Sequence, residues 1–128
     1  MKPKFKILSL SVLTIFLASC EKEYIPGPAP IDLTVPVSFS AKVIPIFTTS
    51  CLGSACHGTG GIAPILTADK AYSELTTKGF VIDSVAIGNN SLYVSMTSTD
   101  APMPPGGLLS NEKIDLVKTW ILQGFENN

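Results

Sequence analysis

The chain reads as an all-α protein, and three observations predict this. Residues 110–124 repeat apolar positions at helical spacing between a serine and a glycine. Three earlier stretches show the same apolar spacing on a smaller scale. Little of the sequence alternates as a strand would.

The first helix is expected from Ser38 or Ser40 to Thr49, with Phe39, Val43, Ile44 and Phe47 on one side. A serine cap flanked by Phe39 and Ile44 has the form of a hydrophobic staple. Pro45 lies early in this helix, where its missing N–H costs least if the helix starts late. A second helix is expected from the cap Thr67 through Ala71, Tyr72 and Leu75. A short third one follows Asn89-Asn90-Ser91 and carries Leu92, Tyr93 and Met96. In the last helix Ser110 is the cap, and Glu112 lies in the first turn, where the helix dipole favours an acid. Ile114, Val117 and Ile121 form its stripe, widened by Leu116 and Trp120, and Gly124 ends it. Gly79-Phe80-Val81-Ile82 is the best short strand candidate. Long loops join these elements.

The first nineteen residues stand apart. Lys2, Lys4 and Lys6 precede an apolar run from Ile7 to Leu17, too short to span a bilayer and typical of a secretory signal. Leu17-Ala18-Ser19-Cys20 resembles the lipobox of bacterial lipoproteins. That resemblance implies lipidation of the Cys20 sulfur and cleavage before it; otherwise Cys20 is incidental to an ordinary signal peptide. Several acyl chains hold a protein on a bilayer without any spanning helix. The implied location is exported, lipid-anchored to a bacterial membrane, facing the periplasm or at the cell surface.

Residues 20–37 read as the lipidated cysteine and a tether. Ile25-Pro26-Gly27-Pro28-Ala29-Pro30 sustains neither helix nor ladder and makes a semi-stiff spacer of about 3 Å per residue. Glu21-Lys22-Glu23 resembles the surface-export signals of lipoproteins in the Bacteroidetes phylum. Residues 38–128 form the one globular domain, small enough that a covalent cofactor would help to stabilise it.

Loss of residues 1–19 removes three of nine lysines and none of ten carboxylates, leaving a formal charge near −4. The chain has no arginine. Nucleic acid is excluded as a partner on this count, because phosphate binding needs a basic footprint. A partner protein with a basic docking patch suits the charge.

Chemistry concentrates in Cys51-Leu52-Gly53-Ser54-Ala55-Cys56-His57, which holds the only histidine, and in Ala101-Pro102-Met103-Pro104-Pro105-Gly106-Gly107. Two thiols beside a histidine can attach a haem. They can equally close a Cys51–Cys56 disulfide, which the exported compartment permits. A zinc site needs about four ligands, and no second cluster of cysteine or histidine completes Cys51, Cys56 and His57. No serine–histidine–acid set and no phosphate-cradling loop competes.

Residues 39–125 resemble a class I c-type cytochrome domain, monohaem, of the small kind found in Bacteroidetes lipoproteins. The residues that carry the resemblance are Ile44-Pro45-Ile46-Phe47, Cys51 with Cys56-His57-Gly58, Ala63-Pro64, Met103-Pro104-Pro105-Gly106-Gly107, and Trp120-Ile121 with Gly124. The resemblance implies a fold of about four helices with long loops around one covalent haem c, bound through thioethers to Cys51 and Cys56. It makes His57 the proximal iron ligand and Met103 the distal one. Pro64 corresponds to the proline whose carbonyl accepts from the free ring nitrogen of the histidine. Trp120 would meet Phe47 where the first and last helices cross, near the haem edge. Read without the family, Pro64 is a loop proline, Phe47 and Trp120 are core aromatics, and a methionine fills a core gap. Met96 is assigned to the core and Met103 to a loop that proline stiffens.

The departure is the cysteine spacing, four residues where the family standard leaves two; Gly53 and Ser54 can loop out without steric penalty. The function implied is electron transfer to and from redox partner proteins, without enzymatic activity. If Met103 does not bind iron, the alternative is a haem that takes a gas or peroxide. If no haem is attached, the alternative is a disulfide-bonded lipoprotein.

Overall fold

In the computed structural model, which describes residues 31–53 and 55–128, a π-helical turn at Phe39–Val43 runs directly into α1, Ile44–Ser50. Then follow α2 (Ala71–Thr77), a 3-10 turn (Ile87–Asn89), α3 (Ser91–Thr97) and α4 (Asn111–Leu122). No strand occurs among the described residues. The described residues are all-α, as expected. The signal segment, Cys20, the start of the tether and Ser54 lie outside the described residues.

Ser38, not Ser40, caps the first helix, its Oγ accepting from the Ala41 amide at 3.1 Å. The helix therefore starts early and Pro45 falls inside it. Proline lacks an N–H, and its ring crowds the carbonyl four residues back. The π-helical turn absorbs this, with the Ile44 amide reaching back to the Phe39 carbonyl. Phe39, Val43, Ile46 and Phe47 are buried, while Ile44 is only partly so.

The second helix begins at Ala71 rather than near Thr67, because Thr67 opens a turn whose carbonyl takes the amides of Lys70 and Ala71. Gly79-Phe80-Val81-Ile82 is not a strand but the turn that follows α2. Gly79 turns through φ 75°, and the amides of Phe80 and Val81 both reach the Leu75 carbonyl, at 2.9 and 3.0 Å. Those donors are thereby lost to any ladder.

The same cap closes α4. Gly124 has φ 100°, its amide bonds the Ile121 carbonyl, and the Phe125 amide bonds that of Trp120. The rings of Phe125 and Trp120 meet edge-on at 6.4 Å, the apolar contact that accompanies this cap. Ile114, Val117, Trp120 and Ile121 bury the inner face of α4. Each such side chain is worth roughly 1.5–3 kcal/mol on burial.

Phe39 is the hub where the first and last helices cross. Its ring lies 4.8 Å from Trp120, 5.6 Å from Tyr72 and 6.4 Å from Phe47. Gln123, just past α4, ties down the end of the tether. Its Oε1 accepts from the Val37 amide at 2.8 Å, and its Nε2 donates to the carbonyls of Leu33 and Val35.

Candidate functional site

A largely apolar cavity of about 360 Å³ lies between the loop after α1, helix α3 and the loop before α4. Pockets for bound small molecules typically fall between about 300 and 1,000 Å³. Leu66, Phe80, Leu92 and Met96 supply much of its wall. Cys51, Cys56, His57, Pro64 and Met103 all line it.

Cys51 ends α1, its amide bonded to the Phe47 carbonyl at 2.8 Å. The chain then doubles back through two bonds. The Cys56 amide donates to the Gly53 carbonyl at 2.9 Å, and the His57 amide to the Cys51 carbonyl at 3.1 Å. Ala55 lies between them at φ 61°, in the left-handed region. Cys51 and Cys56 thus both line one cavity. Gly53 faces the second sulfur closely: a β-carbon there would lie 3.3 Å from Cys56 Sγ. No disulfide joins Cys51 and Cys56 in this structure. Burial pushes the Cys51 thiol up, Cys56 adds to the rise, and Lys113 partly offsets it. Lys113 reaches this end of α1 from α4, its Nζ 3.5 Å from Ser50 Oγ.

The loop after His57 turns on Gly61, where a β-carbon would overlap the Cys56 carbonyl. That carbonyl accepts from the Ile62 amide at 2.8 Å, and the His57 carbonyl accepts from Leu66 at 2.7 Å. The loop so pinned presents the carbonyls of Ile62 and Pro64 to His57 Nδ1, each at 3.0 Å. Two acceptors at Nδ1 hold the ring proton there. In the neutral ring the lone pair is then on Nε2, the nitrogen left to bind a metal. Glu74 on α2 braces the same loop by accepting from the Ile65 amide at 3.1 Å.

Met103 is 41% exposed at the edge of the cavity, its amide bonded to the Ser95 carbonyl of α3 at 3.0 Å. Met96 also lines the cavity, but from α3 and with 4% exposure, as part of the core. Trp120 does not line the cavity. It is 1% exposed against Phe39 and Phe125, and its indole Nε1 donates to the Glu126 carbonyl at 2.9 Å. Phe47 lines the cavity, and the ring of Phe39 packs against both Phe47 and Trp120.

Three supporting residues escaped the sequence reading: Gly61, Glu74 and Asn90. Asn90 is fully buried, and its amide makes four bonds. Oδ1 accepts from Ile82 and Asp83, while Nδ2 donates to the carbonyls of Asp83 and Ile87. An Asn before a helix reads as a cap, yet here the side chain turns back into the preceding loop and caps nothing.

Among the described residues, no group of three or more His, Cys, Asp or Glu comes together that could hold a metal ion. No described helix is long and apolar enough to cross a membrane. Comparison with protein-family models, curated proteins and solved structures returns no match to this chain.

Proposed function

We propose that this protein is an electron carrier, a monohaem c-type cytochrome anchored to a membrane through lipid on Cys20. The observation that carries the reading is the convergence of Cys51, Cys56, His57 and Met103 on one apolar cavity, with His57 Nδ1 committed to Pro64. The donor set fits haem c. Cys51 and Cys56 would hold the haem by adding across its vinyl groups, each S–H forming a C–S bond and passing its hydrogen to the neighbouring carbon. Imidazole and thioether are the axial pair of electron-carrying cytochromes. When bound, the haem iron supplies a one-electron couple. The chain's own residues do the rest. Pro64 and Ile62 hold the proton on His57 Nδ1, the Pro102-Met103-Pro104-Pro105 loop offers a thioether, and Leu66, Phe80 and Leu92 exclude water. His57 and Met103 would together hold the iron and leave no place on it for a substrate, which suits a carrier rather than an enzyme. The acidic balance of the chain beyond residue 19 suits redox partners with basic docking patches.

The test is to express the exported protein with a haem-maturation system and then denature it. Haem that stays with the chain supports the reading. Complete loss of haem from an otherwise folded protein overturns it and leaves a disulfide-bonded lipoprotein as the account. Binding of carbon monoxide or cyanide by the native protein would instead favour the open-iron alternative.

A further inference from the structure

Asn90 lies outside the cavity, yet the chain of contacts from it ends on Met103. Its side chain closes the loop 82–87 through four hydrogen bonds of 2.7–3.1 Å and is fully buried. Helix α3 starts at the next residue. The Asn90 side chain does not cap the helix; the Leu92 amide goes to the Phe80 carbonyl at 3.1 Å, and the Val94 amide to the Asn90 carbonyl at 3.0 Å. The entry of α3 is therefore set by how the 80–90 segment is folded, and Asn90 holds that fold.

The far half of α3 holds the methionine loop. The Ser95 carbonyl takes the Met103 amide at 3.0 Å, and Ser98 Oγ takes the Ala101 amide at 3.1 Å. Between these two ends, Leu92, Ser95 and Met96 face the cavity. Helix α3 is only seven residues long, so a shift at its entry is not absorbed by fraying before it reaches Ser95. A bond from iron to a thioether is weak, and it is made only if the loop delivers the sulfur to the right place.

We infer that Asn90 is a positioning residue for Met103: by clamping the loop 82–87 it fixes the entry of α3, and α3 in turn fixes the loop that carries the distal ligand. This rests on the haem reading above.

The experiment uses the haem-loaded protein and three variants. Asn90→Ala removes the clamp. Asn90→Asp keeps the acceptor for the Ile82 and Asp83 amides and loses the two donated bonds, so it serves where the alanine variant does not fold. Leu75→Ala, in the core of α2 and away from the cavity, serves as a control for plain destabilisation. Thermal unfolding, the sulfur-to-iron absorption of the ferric protein and the reduction potential are measured on each, at a temperature where circular dichroism shows the fold intact.

The expected result is loss of the sulfur-to-iron absorption and a lowered potential in the Asn90 variants, with both retained in Leu75→Ala at an equal or greater loss of Tm. Asn90 variants that lower Tm but keep absorption and potential like the control overturn the inference. Wild-type protein that retains haem but lacks the sulfur-to-iron absorption overturns Met103 as the ligand. Wild-type protein without haem overturns the functional reading itself.

Discussion

His57 Nδ1 lies 3.0 Å from the carbonyl oxygen of Pro64 and the same distance from that of Ile62. A ring nitrogen facing two carbonyl oxygens carries the proton, because two acceptors without a donor would repel. The other nitrogen then carries the lone pair in the neutral ring. The sequence around His57 serves this contact. Gly61 lets the chain pass under the Cys56 carbonyl, and Glu74 holds the amide next to Pro64.

Replacing His57 tests whether this nitrogen is the proximal ligand. His57→Ala is expected to keep haem bound through the two sulfurs while the six-coordinate, low-spin spectrum disappears. Absorption spectra before and after denaturation separate the two effects. An unchanged low-spin spectrum would remove His57 from the site.

The two cysteines are expected to act independently as tethers. Cys51→Ala and Cys56→Ala should each retain a mass adduct of one haem through the remaining thioether. The double variant should retain none after denaturation. Intact-protein mass spectrometry decides it, and an adduct surviving in the double variant would refute attachment at these positions.

Met103 and Met96 line the same cavity but should behave oppositely. Met103→Ala is expected to open the iron to carbon monoxide and lower the reduction potential, with little change in Tm. Met96→Ala removes a buried core side chain and is expected to cost about 2–5 kcal/mol while the ligand spectrum persists. Carbon monoxide titration and thermal melts of both variants check the assignment; ligand loss in Met96→Ala alone would reverse it.

Gly61 tolerates no side chain. A β-carbon there overlaps the Cys56 carbonyl, which is backbone and itself accepts the Ile62 amide. Gly61→Ala is therefore expected to cost roughly 3 kcal/mol, near the upper end for overpacking. For a domain of this size that lowers Tm by more than 10 °C, at about 4–8 °C per kcal/mol. A melt within a few degrees of wild type would contradict the close approach.

Asp83 predicts an acid-dependent term in stability. Its carboxylate accepts from the amides of Ala86 and Val85 and from Asn89, which hold its pKa below the ordinary 3.8. A carboxyl group depressed in the folded state stabilises above its unfolded pKa and loses that effect as pH falls through the folded value. Asp83→Asn should thus melt below wild type at pH 7, and the gap should narrow as pH drops below 3.8. Glu74, held down by Lys78 and the Ile65 amide, titrates in both proteins and cancels from the difference. A gap independent of pH down to 2 would show that Asp83 contributes nothing through its charge.

What the sequence determined by itself was local. The all-α class and the stop of the last helix at Gly124 were legible, because capping and apolar spacing act within a few residues. The grouping of two thiols and one histidine was equally plain, being contiguous. Gly79-Phe80-Val81-Ile82 misled because apolar β-branched residues read the same whether they pair in a sheet or follow a helix into a core. Only the helix-ending turn at Gly79, which spends the Phe80 and Val81 amides on Leu75, distinguished the two. The start of the first helix was undecided between two serines, and the π-helical turn that reconciles Ser38 with Pro45 has no sequence signal of its own.

The tertiary structure alone decided which distant residues share a surface. Met103 lines the same cavity as the cysteines and His57 because its loop is bonded back to Ser95 of α3, while Trp120 packs against Phe39 in the core. Asn90 could not be recognised from its neighbours, since its worth lies in four partners that the loop must close to assemble. Such contacts depend on the simultaneous placement of several segments, which no short stretch of sequence encodes.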